Sequence, residues 1–325
     1  MASSIVDSVL AVLSGAPLRQ AAVRSGLDPA DLADAIELFQ NAGRAALKAQ
    51  EADRDWYQVR IEFADWHTAE HAAAILLGPQ LERAQNTGPF TGWWFIRKHP
   101  CWRLRFRPGP GASHADVRKA IAPLLDKLTT DGVTLHWWET VYEPETLAFG
   151  GPPGMDAAHR LFHADSVGIL DFLRREPVIG RRELSVLLCS ALFHSAGQEW
   201  HEQGDIWHRV ARMRPTPRDT PTDRLRDLTA GLACLMTVDA SPTSALLNTT
   251  GALAFVAPWA AAFNDAGREL GAGAHDGTLL RGVRDVLAHH VIFHWNRLGL
   301  NARTQAILAR AATDTVMGIS DVARA

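Results

Sequence analysis

Residues 93–107 read WWFIRKHPCWRLRFR, two arms joined at His99–Pro100. In an extended chain successive side chains point to opposite faces, so the second arm sets Trp102, Leu104 and Phe106 on one side and Arg103, Arg105 and Arg107 on the other. The apolar side reads as the core face of a sheet. Three guanidiniums in neighbouring positions on one face repel each other and call for an anionic complement. Arginine's planar fork grips a carboxylate or phosphate through two parallel bonds, which lysine cannot do. That complement is either nearby glutamate on a solvated sheet face or an anionic substrate.

The flanks of the hairpin supply the rest of a sheet. WYQVRIEF (56–63) alternates Tyr57, Val59, Ile61 and Phe63 against Gln58, Arg60 and Glu62, the pattern of a half-buried strand. Residues 68–85 are helical in pattern, with Gly78–Pro79 placed to kink them. PGPGAS (108–113) punctuates, residues 115–132 form a second helix, and VTLHWWETVY (133–142) closes as a strand. The order β-α-β-β-α-β is that of a ferredoxin-like unit, with both helices on one face and the arginine face left free.

Residues 3–50 read as three short helices, roughly 3–14, 18–25 and 29–48. The helix–turn–helix look does not imply DNA binding, because DLADAIELFQ (31–40) carries Asp31, Asp34 and Glu37 and no cation. A docking or leader-peptide-binding module and a plain packing extension both fit. Strand signals vanish after residue 153. Helices are predicted over 155–175, 180–199, 205–212, 222–238, 241–267, 277–296 and 303–317, with an irregular loop at 213–222. The predicted fold is therefore α+β: a helical extension (1–50), a ferredoxin-like region (51–152) and an all-helical region (153–325).

The chain has 325 residues, 47% hydrophobic and 21% charged, the balance of a soluble globular protein. A net charge of −3 argues against broad nucleic-acid binding. Three scattered cysteines, Cys101, Cys189 and Cys234, suit a reducing cytoplasm and neither a zinc ribbon nor a disulfide scaffold. The N-terminus lacks the basic region of a signal peptide, and no apolar run is long enough to span a bilayer.

Chemistry-bearing residues gather in a few segments. YEPETLAFGG (142–151) places Glu143 and Glu145 after the last strand. AHRLFHADS (158–166) and AHHVIFHWNRLGL (288–300) each hold histidines four apart, His159/His163 and His290/His294, hence on one helix face. HEQGD (201–205) is read as the end of a helix. HExxH is absent, and with fourteen histidines such pairs arise by chance, so no metal is expected. There is likewise no GxGxxG, P-loop or GxSxG motif and no cofactor is expected. What remains is a pocket with arginines, a carboxylate and a histidine able to shuttle protons near neutrality.

Together WWFIRKHPCWRLRFR, VYEPETLAFGGPPGMDAAHRLFHADS and HHVIFHWNRLGL resemble the thiopeptide-type bacteriocin biosynthesis family, stand-alone forms of the C-terminal elimination domain of lantibiotic dehydratases. The resemblance covers about residues 55–318. It implies a lyase that acts on a ribosomal precursor peptide, leader and core, after a partner dehydratase subunit has esterified Ser or Thr with glutamate from glutamyl-tRNA. Removal of the α-proton then expels glutamate and leaves dehydroalanine or dehydrobutyrine. On this resemblance His294, Arg105 and Glu145 are catalytic candidates, while Arg103, Arg107, Arg97, Asn296 and Arg297 are substrate-binding candidates. Ala148 and Phe149 stand where the resemblance leads one to expect arginine and tyrosine, so Arg103, Arg97 or Arg297 would have to substitute. The rival implied by the same resemblance is a pyridine synthase joining two dehydroalanines by [4+2] cycloaddition; a third reading is a non-catalytic scaffold that recruits the precursor.

Overall fold

The computed structural model describes residues 4–54, 56–175, 178–220, 222–241 and 243–318. They fall into two compact units, Met1–Arg54 and Asp55–Ala325. In the first, α1 (Ile5–Leu13), α2 (Leu18–Ser25) and α3 (Pro29–Arg54) close over a small core of Val9, Ala21, Ala22 and Leu32. Ser4 and Asp7 cap α1 reciprocally, each side chain accepting from the other's backbone N–H. Gly26, at φ +68°, ends α2. Residues 1–3 of the expected helical extension, residue 55 of the expected ferredoxin-like region, residue 221 of the expected loop, residue 242 of the helix expected over 241–267, and residues 176, 177 and 319–325 of the expected helical region lie outside the described residues.

The second unit begins with an antiparallel sheet of β1 (Tyr57–Phe63), β2 (Phe90–Lys98), β3 (Cys101–Pro108) and β4 (Thr134–Thr140), in the order β2-β3-β1-β4. Its alternation is the one read from sequence. Trp102, Leu104 and Phe106 are at most 1% exposed and share a core with Val59, Ile61, Trp93 and Phe95. Over that face pack α5 (Gly78–Thr87), which follows the short α4 (Ala69–Ala72), and α6 (His114–Thr130), through Leu81, Val117, Ile121 and Leu125. A π-helical turn, Ala73–Leu77, joins α4 to α5 just ahead of Pro79, where the helix was expected to kink.

The opposite face is not free, as had been expected. Helix α7 (Pro152–Leu173) lies across β2, with Phe162 4.8 Å from Trp94, which is paired in register with Arg105. The same helix seals the outer edge of β2. His163 Nδ1 bonds the Trp93 carbonyl at 2.7 Å, and Ser166 Oγ accepts the Phe95 N–H at 3.2 Å. These side chains replace the ladder partners that an edge strand lacks.

Beyond α7 the chain is helical: α8 (Arg181–Ser195), α9 (Trp200–Met213), α10 (Thr222–Met236), α11 (Ala257–His275), α12 (Val283–Leu298) and α13 (Ala302–Met317). Three expected boundaries move. HEQGD does not end a helix but begins one, because Gly197 at φ +72° follows the end of α8 and Glu199, with Glu202, caps α9. The helix expected from 241 starts at Ala257. Upstream, Ser244 Oγ accepts the Leu247 N–H and Asn248 Oδ1 the Thr250 N–H, local bonds that compete with helix formation. The helix expected from 277 starts at Val283, after Gly277 at φ +69°.

Candidate active site

Arg105 sits mid-strand on β3, opposite Gln58 of β1. Its Nε donates to Gln58 Oε1 at 2.7 Å, while Gln58 Nε2 donates to Thr140 Oγ1 and the Val141 carbonyl, which fixes the amide orientation. The guanidinium lies 4.1 Å from the Trp94 ring centre and 4.5 Å from that of Tyr142. Burial, with Arg103 and Arg297 adding repulsion, lowers its pKa to about 10, so it stays charged at neutral pH. Its Nη1 is buried without a partner.

Beside it, Tyr142 and His159 bond through the hydroxyl and Nε2 at 2.9 Å, and the His159 ring packs 4.6 Å from Trp56. Burial first, then Arg105 and Arg107, push the His159 pKa down to about 3. Trp56, Trp94, Tyr142, Phe149, Met155, Ala158 and Phe162 form one apolar cluster around these groups.

A second cation reaches the same cluster from α12. Arg297 lies 4.3 Å over the Phe162 ring, and its Nε donates to Asp165 Oδ2 at 2.7 Å. The other oxygen of Asp165 accepts from His294 Nδ1 at 2.8 Å and Trp259 Nε1 at 2.9 Å. Burial pushes the fully buried Asp165 carboxyl up, but His294 and Arg297 outweigh it and hold the pKa below the usual range. An ionised carboxylate only accepts, so His294 donates from Nδ1 and keeps Nε2, which is buried without a partner. His290, one turn earlier, has neither ring nitrogen bonded; it stacks edgewise 4.9 Å from Phe149, and burial followed by Arg297 lowers its pKa to about 3.

The structure thus brings Arg105 and Arg297 to one aromatic cluster, while His294, joined to Arg297 through Asp165, packs its ring against Trp259 and Phe263. Glu145 is exposed, yet near enough to raise the Arg105 pKa. Arg103 is half-buried beside Arg60, and Arg107 is exposed. Arg97 and Asn296 stand elsewhere, lining a cavity of about 440 Å³ with Trp66 and Glu70. There Arg97 and Arg181 both bind Glu70, under Gly299, where a Cβ would collide with the Arg97 guanidinium. Sequence reasoning missed Asp165, Gln58 and the Tyr142–His159 pair. Asp165 had one signal, a carboxylate set between Phe162 and the apolar stretch Val167–Leu170 of α7.

A profile of the family described as lantibiotic biosynthesis dehydratase C-term matches residues 56–316. Comparison with curated protein sequences finds no match. Among solved structures, the tRNA-dependent lantibiotic dehydratase MibB from Microbispora sp. 107891 aligns at TM-score 0.59 and 17% identity, over 83% of this chain and 29% of that one. TsrL aligns at TM-score 0.56 and 16% identity, and the pyridine synthase TbtD from thiomuracin biosynthesis at 0.52 and 15%; each alignment covers 82% of this chain and 98% of the other. At these identities the likeness is one of fold. The match spans under a third of MibB and nearly all of TsrL and TbtD.

Proposed function

Because this chain belongs to the C-terminal family of lantibiotic biosynthesis dehydratases, we propose that it eliminates glutamate from glutamylated Ser or Thr of a ribosomal precursor peptide. The observation that carries this reading is the placement of two buried guanidiniums, Arg105 and Arg297, over rings of one aromatic cluster, with an Asp165–His294 pair behind the second. In the proposed reaction His294 Nε2 takes the α-proton and Asp165 stabilises the imidazolium that forms, as a carboxylate does for a catalytic imidazole. The C–H electrons become the new Cα–Cβ double bond, and the Cβ–O bond breaks with its pair going to glutamate. Arg105 and Arg297 meet the negative charge that develops on the peptide carbonyl and the departing carboxylate, where preorganised donors act most strongly. His159 and His290 stay neutral there, the first bonded to the Tyr142 hydroxyl and the second without a hydrogen bond. At 1% exposure His294 and Arg297 are closed to water, so in this reading the substrate displaces covering side chains: Trp259 and Phe263 lie against the His294 ring and Phe162 against Arg297.

Ala148 favours the second reading, cycloaddition of two dehydroalanines: it packs against the aromatic cluster where a further guanidinium was expected. A coupled reaction separates the two. Glutamylated peptide, made by a partner dehydratase subunit with glutamyl-tRNA, should lose glutamate with this chain present. Arg105→Ala and His294→Ala should each let the glutamylated adduct accumulate, slowing elimination by roughly 10²–10⁴-fold, the worth of a positioned base or charge-stabilising donor. Action only on peptide that is already dehydrated would favour cycloaddition; no turnover of either substrate would favour a scaffold.

The same family reading extends to architecture and setting. The β-α-β-β-α-β element order, read with strands in the sequence β4-β1-β3-β2, supports the ferredoxin-like region expected at 51–152, with its start moved from 51 to beyond Arg54, where α3 ends, completed by the helical region 153–325. The reaction it would perform belongs in the cytoplasm, where aminoacyl-tRNA is made.

A further inference from the structure

The cavity of about 440 Å³ that holds Arg97 and Asn296 is formed by α4 and the loop ahead of it, the hairpin end of β2 and β3, and the turn from α12 into α13. No residue of the aromatic cluster lines it. Its one acid, Glu70, is already engaged. One oxygen accepts from both Arg97 and Arg181, and the other accepts from Arg181 at 2.8 Å. Burial pushes the Glu70 carboxyl up, but Arg181 and Arg97 outweigh it and hold the pKa below the usual range. Neither guanidinium pairs with a second acid among the described residues, so two cations share one carboxylate and one positive charge is left over. Burial lowers the Arg97 pKa to about 10, which leaves it charged at neutral pH.

Two lining amides present donors, and the bonds around them fix which end is free. Gln305 Oε1 accepts from Arg214 Nε at 2.8 Å, so its Nε2 faces the Leu300 carbonyl at 2.7 Å and Asn296 Oδ1 at 3.0 Å. That commits the oxygen of Asn296 and leaves Nδ2 as its free end. Asn301 Oδ1 accepts the Thr304 N–H at 2.9 Å as the cap of α13, which frees its Nδ2 in the same way. Neither amino group has a hydrogen-bond partner among the described residues; Asn296 Nδ2 is not closed off from solvent, and Asn301 is exposed. Trp66, Trp102 and Leu300 supply apolar wall, and His67, also on the wall, is exposed. Surplus positive charge beside two outward amino groups, with no uncommitted acid, suits an anion with paired acceptor oxygens. The guanidinium supplies the charge and the amides supply the hydrogen bonds.

We infer that this cavity is a second binding site, which takes a carboxylate on an apolar stem, as a peptide carries at its C-terminus or on a glutamate side chain. It stands apart from the elimination reading, since binding here needs no turnover. The test is isothermal titration calorimetry on the full chain with two pairs of acetylated peptides. In one pair alanine–leucine–alanine–leucine ends in a free carboxylate or in an amide. In the other, alanine–leucine–glutamate–leucine amide is set against its glutamine twin. The acid of at least one pair should bind at least about tenfold tighter than its neutral twin, as charge-assisted hydrogen bonds allow, and the pair that shows this names the source. Asn296→Asp with Asn301→Asp should erase the difference, because each change keeps the accepting oxygen and turns the free amino group into a second oxygen. The melting temperature should stay within about 3 °C of the parent's, since aspartate caps a helix as well as asparagine does. Asn301→Asp alone, at an exposed cap, should already reduce the difference. Arg105→Ala should leave it unchanged. No preference for the acid in either pair, an undiminished preference in both aspartate variants, or its loss in Arg105→Ala would overturn the inference.

Discussion

Protonating His159 or His290 inside the fold means placing a cation among buried rings and next to Arg105 or Arg297, which is why both pKa values fall to about 3. In the unfolded chain the same groups bind a proton near pH 6.5. The unfolded state therefore holds more protons between these values, and stability is lost as pH falls below about 6.5, at up to ~1.4 kcal/mol per pH unit for each histidine. Urea denaturation between pH 7 and pH 5, above the range where carboxylates titrate, should show the midpoint falling. The double variant His159→Phe, His290→Phe should flatten that slope; an unchanged slope would show that neither imidazole is held neutral. At this scale the sequence was half legible. Alternation alone set Arg105 apart from Trp102, Leu104 and Phe106, because a period of two needs no tertiary information. Nothing local distinguished His294, tied to Asp165, from His290, which has no hydrogen-bond partner. That difference comes from a carboxylate on another helix, 129 residues away.

Among the elements, the contact between α7 and β2 does most to shape the site. It carries Phe162 onto Trp94, Asp165 toward α12, and His163 and Ser166 onto an edge that would otherwise be bare. Ser166→Ala removes the acceptor of the Phe95 N–H and leaves a buried donor unmade, a loss of about 1–3 kcal/mol. Hydrogen exchange should report it as faster exchange of the Phe95 amide, with distant amides of α6 unaffected. Unaltered protection at Phe95 would mean the bond contributes nothing. The strands and most helices of this region were readable because each follows one period. The helix expected from 241 was not: its composition is apolar enough for a helix, but Ser244 and Asn248 spend their side chains on local backbone donors, and such competition leaves no trace in hydrophobic periodicity.

At the scale of the whole chain, Met1–Arg54 and Asp55–Ala325 each close a core of their own. A chain beginning at Asp55 should therefore unfold cooperatively with a melting temperature within about 3 °C of the parent's, the shift that ~1 kcal/mol produces in a domain of this size. A much larger drop in calorimetry would show that the amino-terminal helices support the remainder. The family match, which begins at residue 56, falls at the same boundary. The seam between α7 and β2 has one more consequence. With that flank of the sheet held by helix side chains at Trp93 and Phe95, the other border of the described sheet is β4, Thr134–Thr140. A fifth strand added beside β2 would first have to displace the His163 and Ser166 side chains from its backbone.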